Sequence, residues 1–476
     1  MKNKMITSRD EDFAKWYTDV VRVAKLASYS EAKGFTIFEP NGYAIWENIQ
    51  KILDEKFKML GHQNVYMPML IPESLLLKEA EHVEGFAPEV AWVTMGGEKE
   101  LEEKMCVRPT SETLFCTYFR DTLKSHKDLP IMLNQWCSVV RWEKETRPFL
   151  RTREFLWQEG HTIHKTQEEA ENETMQMLNV YKDLYENYLA IPVLVGKKTE
   201  KEKFAGAEYT LTLEALMYNG ITLQSATSHY FGQKFTKPFD VKYLSSENKL
   251  EFPYQTSWGI TTRTIGGIIM VHSDDNGLVL PHKIAPRQVV IIPIKNDEVV
   301  MNKAKEIYNE LLKNGVSVFI DNSDKSPGFK FAEHETNGIP IRIEIGPKDI
   351  ENNKFIVTRR DDYSKTDILL SEKDNWANII KEIMDTMHKD MYIRALNRMN
   401  EKTYVCDNLE QMEETINKTP GFIKAMWCGD IKCEEKIKEK MSVKSRCIPF
   451  VQEKISDKCV CCSKEAKHMV YWGKQY

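Results

Sequence analysis

The stretch from Arg141 to His161, RWEKETRPFLRTREFLWQEGH, decides how the rest of the chain reads. It predicts two short strands around a charged loop. Residues two apart on a strand share a face, so Arg141 pairs with Glu143, and Phe155, Trp157, Glu159 and His161 line up together. Leu156, Gln158 and Gly160 take the other face. A half-buried strand normally sorts polar groups to water and apolar ones to the core. Here two aromatics, an acid and an imidazole share one side, which suits the floor of a pocket for a small charged ligand with a flat part. Arg141, Arg147, Arg151 and Arg153 crowd the same hairpin. Repelling guanidinium groups gathered together imply an anion, and phosphate is the obvious one. A solvated hairpin with its arginines facing water is the alternative; the pattern favours the pocket.

RWE followed by RPFLRTREFLWQEGH resembles the second signature motif of class II aminoacyl-tRNA synthetases. The form is that of prolyl-tRNA synthetases of the archaeal and eukaryotic type, which carry a C-terminal zinc-binding domain. The resemblance runs from about Asp12 to Tyr476. It implies an α+β catalytic domain on an antiparallel sheet over residues 1–283. An α/β anticodon-binding domain over 284–385 and a small C-terminal zinc-binding domain over 386–476 follow. The implied activity is the ATP-dependent joining of L-proline to tRNA(Pro), by a homodimer.

Composition is compatible with this. A chain of 476 residues is too long for one core and implies about two to four domains. Hydrophobic residues at 42% and charged residues at 29% are globular values. A formal net charge of -5 leaves no general basic footprint, so any RNA contact rests on local patches. The opening MKNKMITSRDEDF has no apolar core of a signal peptide, and no run reaches the length of a membrane span. Of ten cysteines, three (Cys106, Cys116, Cys137) lie early and seven after residue 400, the late ones at metal-like spacings. A reducing, cytoplasmic setting is therefore expected.

Phe13, Trp16, Tyr17, Val20 and Val21 give a helical face and predict a helix over 10–32. A second helix is expected over 43–60, stopped by Gly61, then a strand over 65–67 ended by Pro68. Helix, strand and proline resemble motif 1, which implies the dimer interface; an ordinary core helix and strand would look the same. In VRPTSET, Thr110 and Ser111 can cap the helix that follows, and Glu112 suits its first turn. The resemblance implies that Thr110 and Glu112 hold proline, whose cationic amine needs a partner once desolvated. A helix over 166–189 is expected to be structural.

TEKEKFAGAEYT, 199–210, resembles the family's proline-specific loop, with Glu208 where Asp is common. In LQSATSHYFGQKF, Gln224 and Thr227 match family positions for ATP and its magnesium, Gln224 as a magnesium ligand, and His229 matches one for proline. Ser225 and Ala226 stand where the family usually has glycine at one or both positions, which implies a tighter nucleotide approach. SWGITTRTIGGIIMVHSDDNGLVLP resembles motif 3, with Arg263 as its arginine. The implied roles are then specific. Arg141 bridges the proline carboxylate and α-phosphate. Glu143 accepts from the adenine amine. Arg151 and Arg263 bind outer phosphates, Phe155 and Arg263 sandwich adenine, and Thr152 and Thr261 complete the ATP site. Glu112, Trp157, Glu159 and His161 line the proline pocket.

From Ile284 the texture changes to alternating apolar strands and helices, which predicts a small α/β domain. Its resemblance is to the anticodon-binding domain. Glu344 is the candidate for reading a base, and Lys354, Arg359 and Arg360 for holding phosphates; solvated strand-end charges are the alternative. A linker helix is expected over 373–402. Cys428, Cys433, Cys459 and Cys461 then suit structural zinc, with Cys462 as the alternative to Cys461 and Cys447 in the core. The resemblance also implies that the Tyr476 carboxylate reaches back to the catalytic domain. About 100 residues separate motifs 2 and 3, so no editing domain of the bacterial type is expected between them. A synthetase for another amino acid, such as threonine or glycine, is disfavoured by WQEGH and VRPTSE. A non-catalytic RNA-binding relative is disfavoured by the presence of Arg141, Glu143 and Arg263.

Overall fold

The computed structural model describes residues 5–82 and 89–476. Among them, the largest sheet has eleven strands. Its antiparallel centre runs in the order Leu194–Lys197, Tyr209–Leu216, Thr222–Gly232, Tyr254–Thr261, Glu154–His164 and Ile131–Val140. The helix Gln167–Asn187 crosses the back of these strands. Met177, Tyr181, Leu184 and Tyr185 form its buried stripe at helical spacing. Thr166 begins it with a capping box, accepting from the Glu169 N–H while the Glu169 carboxylate accepts from the Thr166 N–H. The register at the centre is held by shape. Gly160 lies opposite Trp258, and a Cβ at Gly160 would sit 2.2 Å from the indole ring.

The hairpin departs from expectation at its first strand. That strand ends at Val140, so Arg141 and Glu143 lie in the loop. The Glu143 N–H turns back to the Arg141 carbonyl at 2.7 Å, and the Trp142 N–H donates to the Glu89 carbonyl. Those amides are spent on a turn and a loop contact, so the sheet ladder cannot continue. The first helix is shorter than expected, Phe13–Val23, capped by Asp12 and followed by Lys25 at φ 51, which no helix continues through. The strand expected over 65–67 is replaced by Gln63–Asn64, parallel to Ile131–Val140. The Met67 N–H donates to the Gln135 side chain instead of to a strand.

The α/β unit has five strands in the order Val318–Ile320, Val289–Pro293, Ile341–Ile345, Lys354–Arg359 and Lys365–Leu369, and its apolar core also takes in Ala190 and Val279 of the catalytic part. The last strand carries no sequence signal, because all but Ile368 of its residues are exposed and no apolar alternation marks it. The charges expected to meet RNA are engaged internally. Glu344 is buried and accepts from Arg342 Nε at 3.0 Å and Thr358 Oγ1 at 3.0 Å. Lys354 pairs with Asp367, and Arg359 with Asp361 and Asp390. Arg360 is buried and forks onto Asp274 of the preceding catalytic part at 2.7 and 2.8 Å, which ties the two units together.

The C-terminal segment adds its strands to the catalytic sheet. Thr403–Val405, Phe422–Trp427, His468–Lys474 and Val443–Pro449 extend the catalytic sheet, with Ile448 opposite Lys197 and Pro449 opposite Gly196. Gly196 permits this, since a Cβ there would lie 2.4 Å from the Ile448 carbonyl oxygen. Under the seam, Glu214 accepts from Lys198 Nζ at 2.6 Å and Arg446 Nε at 2.9 Å, all three buried. Burial alone would raise the Glu214 carboxyl, but Arg446 and Lys198 outweigh it and hold it below the ordinary range. Tyr476 does reach back, through its phenol oxygen, which accepts from Arg147 Nη1 at 2.9 Å.

Removing Glu214 leaves two buried cations without a counter-charge. Glu214→Ala is expected to destabilise the folded chain by about 3–5 kcal/mol. Urea unfolding at pH 7 checks it; a loss below about 1 kcal/mol would show that the seam does not depend on this carboxylate.

Candidate active site

The Glu154, Thr222 and Tyr254 strands, the loop after Val140 and the start of the helix Arg263–His272 enclose a cavity of about 280 Å³. Thr110, Glu112, Arg141, Glu143, Arg151, Thr152, Phe155, Trp157, Glu159, Gln224, Thr227, His229, Thr261 and Arg263 all line it. His161 does not. It is fully buried behind Glu159, stacked on Phe115 at 4.0 Å, with Nε2 2.9 Å from Glu159 Oε2.

A bulge explains how Gln224 joins Thr227. Residues three apart on a regular strand face opposite sides. Here Leu213 pairs with Ala226 but Glu214 with Gln224, so Ser225 is an extra residue and re-phases the strand. The Ser225 position thus sets the pocket's lining.

Two buried acids sit on the floor with opposite tendencies. Burial, and then the Glu159 charge, push the Glu112 carboxyl up against the opposing effect of His161; Glu112 also accepts from Thr110 Oγ1 at 2.5 Å. Burial would also raise Glu159, but hydrogen bonds from His161, Ser111 and Gln135 outweigh it and hold Glu159 low. The two hydroxyls expected to cap the next helix are therefore spent on carboxylates, and Ser111 makes no side-chain cap bond.

The arginines form the opposite wall. Arg141 donates through Nε to the Pro109 carbonyl, and Arg263 through Nε to the Leu150 carbonyl, each at 3.1 Å. No hydrogen bond among the described residues engages their η nitrogens, so the outer edge of each fork is available to an anion. Burial lowers the Arg141 value, opposed by Glu112, Glu143 and Glu159. Burial, then Arg151 and Arg141, pull Arg263 down to about 10. It stays charged at neutral pH, and a bound anion would relieve the repulsion. Arg141 also lies 5.5 Å from the Phe155 ring and 5.6 Å from the Trp157 ring. Arg151 is half exposed and loosely paired with Glu143 at 3.8 Å.

His229 has both ring nitrogens occupied, Nδ1 by Thr210 Oγ1 at 2.9 Å and Nε2 by Thr227 Oγ1 at 3.1 Å. Burial pulls it down to about 3, so it is neutral there. Sequence reasoning passes over Glu202, Phe204 and Thr210 as individual lining residues. Phe204 is detectable as an aromatic directly after the charged run Glu200 to Lys203. Ser111 and Gln135 give no signal, because their task is to hold Glu159.

The chain that builds this floor, with two acids beside two outward-facing arginine forks, matches known proteins along nearly all its length. Residues 92–272 match the tRNA synthetase class II core domain (G, H, P, S and T), 288–381 an anticodon binding domain and 409–476 the prolyl-tRNA synthetase C-terminal domain. A proline--tRNA ligase of Lachnoclostridium phytofermentans is 60% identical over 99% of this chain and 98% of its own length. That of Clostridium novyi is 59% identical over the same shares. The crystal structure of prolyl-tRNA synthetase from Cryptosporidium parvum complexed with halofuginone and AMPPNP superposes with a TM-score of 0.94 at 40% identity, covering 99% of both chains. The chain belongs to the prolyl-tRNA synthetase family. Its reaction is that of a proline--tRNA ligase, joining proline to tRNA at the expense of ATP.

This synthetase also gathers four thiols. The Sγ atoms of Cys428, Cys433, Cys459 and Cys462 lie within 4.8 Å of one another. A tetrahedral zinc with bonds of about 2.3 Å needs sulfurs about 3.8 Å apart. Cys428 lies 3.7 Å from Cys433 and 3.7 Å from Cys462, which fits. Of the two candidates for the fourth member, Cys461 and Cys462, the cluster takes Cys462. After Cys459 the chain turns, with the Ser463 N–H on the Cys459 carbonyl at 3.0 Å and Ser463 at φ 58, and this returns the third residue to the cluster.

The buried imidazoles set a pH dependence. His229 and His272 are both pulled by burial from 6.5 to about 3. A folded value below the unfolded one means the unfolded chain takes up the proton first. Their contribution is intact above about pH 6.5 and is lost as pH falls towards 3. Stability of the free protein is expected to drop by about 2 kcal/mol per histidine between pH 7 and pH 5. Urea unfolding at both values is the measurement, and a flat profile would contradict the buried neutral rings.

Proposed function

We propose that the pocket activates L-proline with Mg-ATP in the following arrangement. The proline carboxylate attacks the α-phosphorus, forming prolyl-adenylate and releasing pyrophosphate. The terminal ribose hydroxyl of tRNA(Pro) then attacks the adenylate carbonyl, releasing AMP. No protein nucleophile is needed; the chain positions reactants and neutralises charge developing at phosphorus. Arg141 bridges the proline carboxylate and α-phosphate. Arg263 and Arg151 hold the outer phosphates, Glu143 accepts from the adenine amine, and Phe155 stacks with it. Thr152, Thr261 and Thr227 complete the nucleotide side. Gln224 is the magnesium-side ligand, and the ion would neutralise the outer phosphates. Glu112 and Thr110 face the proline amine, with Trp157, Glu159 and His229 around the ring and His161 holding Glu159. The observation that carries the reading is the pair of forks tied back through Nε, with η nitrogens left for anions, beside two buried carboxylates.

The remaining parts of the reading are an anticodon-binding unit over 284–385, a catalytic unit over 1–283 and a C-terminal unit over 386–476 that holds zinc. A homodimer joined through the motif 1 region is supported by exposed Tyr29, Met59, Tyr66 and Met69. No helix among the described residues is long and apolar enough to cross a membrane, and a cytoplasmic setting is part of the proposal.

Arg141→Ala is expected to lower proline-dependent ATP–pyrophosphate exchange by about a hundredfold to a thousandfold with the fold intact. Near-normal exchange in the folded variant would remove Arg141 from this role. Protein purified without added metal is expected to carry about one zinc per chain, lost in Cys462→Ser and kept in Cys461→Ser. Elemental analysis of the three proteins decides it.

A further inference from the structure

The loop of residues 199–207 supplies Glu202 and Phe204 to the amino-acid side of the cavity. Its pocket end is held within the catalytic part. The Phe204 N–H donates to Thr210 Oγ1 at 3.0 Å, and the Phe204 ring lies 4.8 Å from His229. Its root is held from outside. Thr199 Oγ1 donates to Glu434 Oε1 at 3.0 Å, and Ser445 Oγ donates to the same oxygen at 2.5 Å. All three residues are buried. Glu434 stands on the helix Ile431–Met441 and Ser445 on the strand Val443–Pro449, both from the C-terminal part. Two more pairs cross the same seam, Lys201 with Glu435 at 3.1 Å and Lys444 with Glu202 at 3.3 Å.

The second carboxylate oxygen of Glu434, Oε2, is buried and accepts no hydrogen bond from any described residue. A buried, half-satisfied carboxylate is a poor way to make a seam stable, and an apolar side chain would cost less. Its other oxygen holds Thr199, at the root of the loop, and Ser445.

We propose that Glu434 is a positioning residue for substrate binding, through which the C-terminal part holds Glu202 and Phe204 against the amino-acid end of the pocket. This rests on the assignment of proline to that end. The loop touches neither Arg141 nor Arg263 in any hydrogen bond of the described residues, so the clamp acts on proline and not on the nucleotide.

The test uses the full chain. Glu434→Ala is expected to raise the proline KM in pyrophosphate exchange about tenfold or more, the scale of a hydrogen bond to a charged group, with the ATP KM within about twofold. Trypsin is expected to cut faster at Lys201 and Lys203, the loop's own lysines. Glu434→Gln keeps an acceptor for Thr199 and Ser445 and is expected to restore both readouts. Thr199→Val breaks the same bond from the loop side and serves if Glu434→Ala does not fold. An unchanged proline KM in a folded variant, or equal rises for proline and ATP, overturns the clamp. Glu112→Gln is measured in parallel. A raised proline KM there with none in Glu434→Ala rejects the clamp alone, whereas no change in either rejects the pocket assignment itself.

Discussion

A sheet register is the constraint on which this enzyme's chemistry depends. Along the Glu154 strand, Trp157 and Glu159 face the cavity while Gln158 and Gly160 face the core, where Gln158 accepts from Tyr181 and Gly160 admits Trp258. A slip of one residue would send the acid into the core and the glycine to the ligand. The Gly160–Trp258 contact makes such a slip costly, because no other residue fits beneath the indole. The Ser225 bulge works on the same logic from the neighbouring strand, turning Gln224 to the side occupied by Thr227. Precision in the pocket is therefore a property of backbone pairing before it is one of side chains.

Electrostatics builds on that frame. Glu112 and Glu159 are chemically alike and both buried, yet one is pushed up and the other held down. The difference lies in donors: Glu159 receives His161, Ser111 and Gln135, whereas Glu112 receives Thr110. On the facing wall, burial and then the charges of Arg151 and Arg141 pull Arg263 down.

The C-terminal part belongs to the same mechanical unit. Its strands extend the catalytic sheet, Glu214 neutralises Arg446 beneath the seam, and Glu434 meets the loop that reaches the cavity. By contrast, the α/β unit has a sheet of its own, shares its apolar core with Ala190 and Val279 and is tied on through Arg360 and Asp274. Two appended regions of similar size thus stand in different relations to the active site, one continuous with its sheet and one fastened to it.

The sequence by itself determined the family through the resemblance of its motifs, and that resemblance implied the class of fold and most pocket residues, while local order supplied a smaller set. It placed Phe155, Trp157 and Glu159 on one face since a strand's period leaves no other option. Tertiary structure alone decided what depends on distant partners. Whether Glu344, Arg359 and Arg360 are free for RNA turns on Thr358, Asp390 and Asp274, which meet them from other elements. Whether Cys461 or Cys462 completes the thiol cluster turns on a turn geometry that spacing leaves open. That His161 stands behind Glu159, and that Glu434 meets Thr199 across 235 residues of chain, are facts of packing. A local pattern records which way a side chain faces, and only the folded chain settles what it meets there.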